Sequence, residues 1–223
     1  MKSNRALAIL QDEVIACRQC PRLTAHCAET ASTKRRAFMD WTYWGKPLPS
    51  FGDPRARLLL VGLAPAAHGG NRTGRMFTGD RSGDFLYDAL YETGFANQPT
   101  SVSLDDGLRL KDCYITAAVR CAPPDNKPLP DETERCSQFL RRELELLTRV
   151  QVVVALGKFG FDAYLRERPL RGAKFGHGVI HRPPAPLPVL MASYHPSQQN
   201  TFTGKLTRAM LVDVFRQARA MLD

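Results

Sequence analysis

The sequence predicts an α/β protein of three layers, α/β/α, around a central four-stranded and mainly parallel sheet. Three observations carry this. Four short apolar runs have the length of buried strands: Arg57 to Val61, Cys113 to Val119, Gln151 to Leu156 and Pro188 to Ala192. Helical patterns separate them, and such alternation favours parallel pairing through right-handed crossovers, with helices on both faces of the sheet. Third, the segments just after the strands are rich in glycine, histidine, asparagine and cysteine, where open α/β sheets place their ligands.

Taken in order, Ser82 opens a helix whose apolar residues Phe85, Leu86, Ala89 and Leu90 share one face, and Gly94 ends it. Pro130 and Asp131 open the second helix, with Cys136, Phe139, Leu140, Leu144 and Leu147 on one side. A third runs from about Phe159 to Arg166. The last, Leu206 to Leu222, turns Met210, Leu211, Val214, Phe215 and Ala218 inward. Lys34 to Pro54 and Pro169 to Pro188 read as irregular, and neither stands as a separate unit, so residues 1–223 are expected to form one domain.

At 223 residues, 43% hydrophobic and 24% charged, the chain can bury a sizeable core, which excludes disorder of the whole. Its longest apolar stretch, Leu58 to Ala67, is ten residues broken by Gly62 and Pro65, against the roughly 18 needed to cross a bilayer. Met1 to Gln11 lacks the apolar core of a secretory signal, so the expected location is the cytoplasm. The net charge of +9 suits a polyanionic partner, because phosphates release counterions when cations neutralise them; plain solubility is the competing account.

Six cysteines in a chain without a readable export signal point to metal binding or burial rather than disulfides. Cys17 and Cys20 form a C-x-x-C pair, and Cys121 and Cys136 can complete a set of four thiolates. Such a set serves zinc or an iron–sulfur cluster, and the close pair with two scattered ligands is less typical of a zinc ribbon. A redox pair is the alternative, although no thioredoxin-like pattern surrounds it. Cys113 begins a strand and reads as a small buried hydrophobe.

His195 follows the fourth strand, where an imidazole can donate to charge developing on a leaving group; a structural histidine is the plainer reading. Asp80 follows the glycine-rich, aromatic segment Gly74 to Gly79 and is either a working carboxylate or a helix cap. With Phe77 these groups suit a pocket for a planar base. The stretch from Gly62 to Asp80 contains five glycines, which let backbone approach a ligand, yet it matches neither a Walker A loop nor G-x-G-x-x-G. Arg72, Arg75 and Arg81 surround it with cations that suit a phosphodiester backbone or simply a solvated loop.

Gly62-Leu-Ala-Pro-Ala-Ala-His-Gly-Gly-Asn-Arg-Thr-Gly-Arg-Met-Phe-Thr-Gly-Asp80 and His195-Pro-Ser-Gln-Gln-Asn200 resemble two motifs of the uracil-DNA glycosylase superfamily, within it the iron–sulfur family 5, or type B. Cys17-x-x-Cys20, Cys121 and Cys136 are similar to the cluster ligands of families 4 and 5. The resemblance implies an α/β/α fold, a four-iron, four-sulfur (4Fe-4S) cluster on those cysteines, and excision of uracil and other deaminated bases such as hypoxanthine and xanthine from DNA. It implies that Phe77 stacks on the flipped base, His195 stabilises its oxygen, Ser197 contacts a phosphate and Asn200 lies near the base. Gly62 opens the first motif against the base, and Leu63 and Ala64 stand where other branches carry a polar residue that can position water. That role then falls to Asp80. Ala117 takes the place of an asparagine that reads uracil in family 4, so selectivity is expected to be relaxed, with Asn126 as the polar reader. The protein is expected to act as a monomer, and Phe202 is the candidate wedge into the duplex. The rival function is a noncatalytic iron–sulfur protein that binds nucleic acid or senses redox state.

Overall fold

The computed structural model describes residues 2–223. Its sheet contains all four expected strands, β2 (Leu58–Gly62), β3 (Cys113–Ala117), β4 (Val152–Leu156) and β6 (Val189–Ser193), paired in parallel in the order β3-β2-β4-β6. The expected count of four is corrected to six. Two-residue strands, β1 (Phe51–Gly52) and β5 (Ile180–His181), add antiparallel edges to β3 and β6. Both lie in the stretches read as irregular, and two residues are too few to show an alternating pattern.

The parallel strands are largely apolar because both faces are covered. On β2, Leu59 and Val61 enter one core while Leu58 and Leu60 enter the other. The first core contains residues of α1 (Lys2–Ala16), α2 (Pro21–Thr33), α5 (Pro130–Leu146) and α6 (Gly157–Glu167), among them Leu10, Leu23, Phe139 and Phe161. The second takes Leu86 and Leu90 from α4 (Arg81–Glu92) and Leu211 and Phe215 from α8 (Arg208–Ala220). Each such leucine or phenylalanine, fully buried, contributes on the order of 2 kcal/mol. The short α3 (Gly70–Thr73) and α7 (Gln198–Phe202) belong to the loops at the carboxyl ends of the strands.

Two helices, α1 and α2, precede the sheet where the strand-and-helix alternation assigns none. Leu7, Leu10 and Val14 of α1 are buried at helical spacing, and Pro21 opens α2 at a position where a missing N–H costs nothing. A second correction concerns α4. Its cap is Asp80, whose carboxylate accepts the Gly83 N–H at 2.9 Å, and not Ser82.

One buried ionic network ties α1, β3, α5 and the approach to β1 together. Arg120 and Glu143 are 1% and 0% exposed and pair at 2.5 Å. Glu143 also accepts the hydroxyls of Ser50 and Thr116, each at 2.6 Å, and the Gln11 amide at 2.9 Å. Removing one partner of such a pair strands the other charge away from water. We predict that Arg120→Met destabilises the protein by about 3–5 kcal/mol in denaturant unfolding, and that adding Glu143→Leu recovers part of the loss. A loss below about 1 kcal/mol for the single replacement would show that the pair is not ionic.

Candidate active site and cysteine cavity

Strand β2 has β3 on one side and β4 on the other, so the connections leaving it and its neighbours diverge at its carboxyl end. That is the crevice in which open α/β sheets bind ligands. Gly62 and Ala117 sit opposite each other at this rim, as do Leu156 and Ser193. The ladder runs on past Gly62, since Ala118 and Val119 donate to the carbonyls of Gly62 and Leu63.

The segment from Gly62 to Asp80 folds back over its own strand. Phe77 adopts φ 51°, a backbone conformation rare for an aromatic residue, and its ring covers Gly62. A Cβ at Gly62 would stand 3.1 Å from Phe77 Cζ. The Phe77 ring also meets the His195 imidazole, with centroids 5.8 Å apart and planes tilted by 33°. His195 is half-buried against Gly157 and its ring forms no hydrogen bond among the described residues. Burial lowers its pKa to about 4, so the ring is neutral at pH 7. Asn200 holds the turn by donating its side-chain amide to the His195 carbonyl at 2.9 Å, and the Ser197 hydroxyl caps α7 by accepting the Asn200 N–H.

Asp80 sits three residues beyond Phe77. Its Oδ1 takes the Gly83 amide, while Oδ2 lies so close to Gly69 that a Cβ there would stand 1.9 Å from it. Only glycine leaves room for this carboxylate. Burial raises its pKa above the usual aspartate value, and the Asp84 charge adds to that, whereas the amides of Gly83 and Ser82 and the Arg72 guanidinium pull it back.

Asp80 opens into a groove of about 650 Å³ that also contains Asn126, Arg81, Arg35, His26 and His68. Asn126 belongs to a tight turn, Pro124–Asn126, in which Asp125 and Asn126 have φ 53° and 56°. The fold thus joins Phe77 to His195 and places Asp80 and Asn126 in one groove. Gly62 lies beneath the Phe77 ring, and Ala64 packs against the core of the first face. Arg72 and Arg75 correct the reading of three loop cations. Both are 3% exposed; Arg75 pairs with Asp106 at 2.6 Å, and Arg72 lies between Phe38 and Trp41. Arg81 alone of the three is exposed, over the ring of Phe202.

Cys17, Cys20, Cys121 and Cys136 line one small cavity under the end of β3, together with Arg120 and Arg135. The Arg120 N–H donates to Cys136 Sγ at 3.3 Å, and the Arg135 side chain reaches Cys20. Burial raises the thiols of Cys20 and Cys136, the latter to about 12, and a contact with Cys27 together with burial raises Cys121. Among the described residues no group of three or more His, Cys, Asp or Glu side chains converges closely enough to hold a single metal ion. No helix of the described residues is long and apolar enough to cross a membrane.

A family model described as the uracil DNA glycosylase superfamily matches residues 49–219. The chain is 52% identical over 212 residues to the type-5 uracil-DNA glycosylase of Mycobacterium bovis, covering 93% of this chain and 79% of that one. It is 52% identical over 209 residues to the type-5 enzyme of Thermus thermophilus, covering 92% and 94%, and 46% identical to that of Pyrobaculum aerophilum, covering 94% and 90%.

Two measurements test the electrostatics. A folded pKa above the unfolded one means that Asp80 favours the folded state below the ordinary carboxylate pKa, and that this contribution is lost as pH rises through the folded value. Asp80→Asn keeps the cap and removes the buried charge. We therefore expect a higher Tm for the variant at neutral pH and convergence with the parent in acid. For His195 the folded pKa is depressed, so its contribution is present above the ordinary histidine pKa and is lost as pH falls toward about 4. Its imidazole NMR signals should stay those of the neutral ring through about pH 5. A midpoint near 6.5 would contradict the burial described.

Proposed function

The chain belongs to the uracil DNA glycosylase superfamily, and from that premise we propose that it is a uracil-DNA glycosylase of the type-5 kind, hydrolysing the N-glycosidic bond of a nucleotide turned out of the duplex. The single observation that carries this reading is the Asp80 carboxylate, desolvated and fixed against Gly69, at the mouth of a groove bordered by Asn126.

A stacked base cannot be reached in the helix, so extrusion costs a few kcal/mol that contacts to the protein must offset. Phe77 supplies a flat apolar face for the extruded ring. As the glycosidic bond breaks, positive charge grows on the sugar and negative charge on the base, so groups aimed at both strengthen toward the transition state. Asp80 serves the sugar side, stabilising that positive charge and orienting the attacking water as the residue at this position with a free lone pair. His195 serves the base side. It acts as a neutral donor, which suits its depressed pKa, and Asn200 fixes its direction through the His195 carbonyl rather than through the base. Asn126 is the polar reader of the base edge. Ser197 and the exposed Arg81 face the phosphates, and Phe202, 66% exposed, is available as a wedge.

The proposal extends to other deaminated bases. Ala117, at the rim, offers no amide to select uracil, and a methyl group there tolerates wider rings. Cys17, Cys20, Cys121 and Cys136 would hold a 4Fe-4S cluster. Four thiols on one cavity and the backbone donor to Cys136 support iron–sulfur ligation. Bound there, the cluster would cross-link the α1–α2 junction to the β3–α5 connection.

Purified protein incubated with a uracil duplex, followed by alkali, should yield cleaved abasic sites, and hypoxanthine and xanthine duplexes should react as well. Asp80→Asn should lose at least about a hundredfold in rate with DNA affinity within about threefold of the parent. His195→Leu should lose about 10²–10³-fold. The absence of any abasic product would favour the noncatalytic nucleic-acid-binding reading. A brown protein with visible absorption supports the cluster, and colourless protein with stoichiometric zinc overturns it.

A further inference from the structure

Among the groups that line the groove, Arg72 has no place in the chemistry described so far. It is 3% exposed and, unlike Arg75 with Asp106, forms no carboxylate ion pair among the described residues. A guanidinium that loses its water without a counterion is unfavourable unless something else holds it. Here four groups do. Nε donates to the His68 carbonyl at 2.8 Å and Nη2 to the Gly79 carbonyl at 2.6 Å. Cζ lies 3.8 Å from the centre of the Phe38 ring and 4.1 Å from that of Trp41.

The two carbonyls are informative. His68 immediately precedes Gly69, the residue that makes room for the Asp80 carboxylate, and Gly79 immediately precedes Asp80 itself. Gly79 has φ 77°, and a Cβ there would stand 2.5 Å from Arg72 Nη2, so the turn is shaped around the guanidinium. We propose that Arg72 is a positioning residue for Asp80: its two hydrogen bonds clamp the backbone on both sides of the carboxylate, and its charge stands behind it. The aromatic pair Phe38 and Trp41, which also borders the groove, holds the guanidinium in place. The proposal rests on the assignment of Asp80 as the working carboxylate.

The charged and titratable groups around Asp80 are few. Asp84 and Arg81 come from α4, Arg72 and His68 from the loop after β2, Asp125 from the turn after β3, and His26 and Arg35 from α2 and the segment following it. Of these, Asp84 opposes and Arg72 favours the charged carboxylate. Replacing Arg72 changes none of the other charges, so a change in Asp80 titration reports on the loss of Arg72 and its clamp.

The test uses the full chain carrying Arg72→Met, whose flexible apolar side chain fills the space between the rings, and Arg72→Lys, which keeps the charge without the fork. In Arg72→Met the carboxyl ¹³C titration of Asp80 should move up. Its kcat on a uracil duplex should fall on the order of tenfold with KM within about twofold, because the loss lies in placing the carboxylate and not in binding DNA. Arg72→Lys should hold the titration near that of the parent. Should Arg72→Met fail to fold, Phe38→Leu with Trp41→Leu frees the guanidinium and should shift Asp80 the same way by less. An Asp80 titration unchanged in Arg72→Met, or a loss seen only in Tm or in KM, overturns the proposal. The titration needs no turnover: a parent that excises no uracil while Arg72→Met still moves Asp80 would overturn the enzymatic reading and uphold the positioning role.

Discussion

The buried pair of Arg120 and Glu143 is the constraint on which both sites depend. Arg120 stands three residues past the end of β3; Cys121 comes directly after it, and then the turn that carries Asn126. Its side chain is fixed by Glu143, while its backbone is fixed twice, by the N–H on Cys136 Sγ and by the carbonyl that accepts Leu48 N–H at 2.7 Å. One residue therefore sets the exit direction of the strand, the placement of two thiols and one wall of the groove. A pair of this kind contributes little net stability, since desolvation offsets most of the attraction. Its effect is on specificity of structure: α1, β3 and α5 can meet in one arrangement that satisfies Gln11, Ser50, Thr116 and Glu143 together.

Asp80 shows the opposite trade. As a cap it stabilises α4, yet the same carboxylate is buried in a way that raises its pKa, so its ionised form weakens the fold at neutral pH. An asparagine would cap the helix as well without that penalty. The persistence of a charge in such a place, with Gly69 emptied of side chain to admit it, is what argues for chemistry over packing. The caps and glycines around it serve that end.

Much of this was legible in the residues. The four parallel strands are buried on both faces and so appear as largely apolar runs, and the carboxyl-end loops stand out by composition. The edge strands Phe51–Gly52 and Ile180–His181 were not legible, because two residues have no period. Helix α1 carries Leu7, Leu10 and Val14 at helical spacing, a signal present in the sequence but thin in a segment whose mean polarity is high. Burial of Arg72 and Arg75 was beyond reach. An arginine in a glycine-rich loop looks the same whether it meets solvent, a phosphate or two aromatic rings, and Phe38 and Trp41 lie more than thirty residues away. Likewise the choice between Ser82 and Asp80 as the cap of α4 turns on a difference of two residues, within the ordinary uncertainty of a helix boundary.

The distribution of charge bears on how an anionic strand would be received. Four cations on or beside α4 and α8 are paired internally: Arg208 with Asp88 and Glu92, Arg216 with Glu92, and Arg57 and Arg219 both with Asp112. Around the groove the exposed Arg35 and Arg81 form no ion pair among the described residues. Arg35 and Arg81 thus place part of the +9 excess where Asp80 opens, and a polyanion approaching that mouth meets cations that need not first give up a carboxylate. This arrangement also protects the chemistry. Arg72, whose charge favours the ionised Asp80 carboxylate, is buried and held by carbonyls and rings, so phosphates drawn to the exposed arginines cannot compete for it, and the carboxylate keeps its setting as the strand binds.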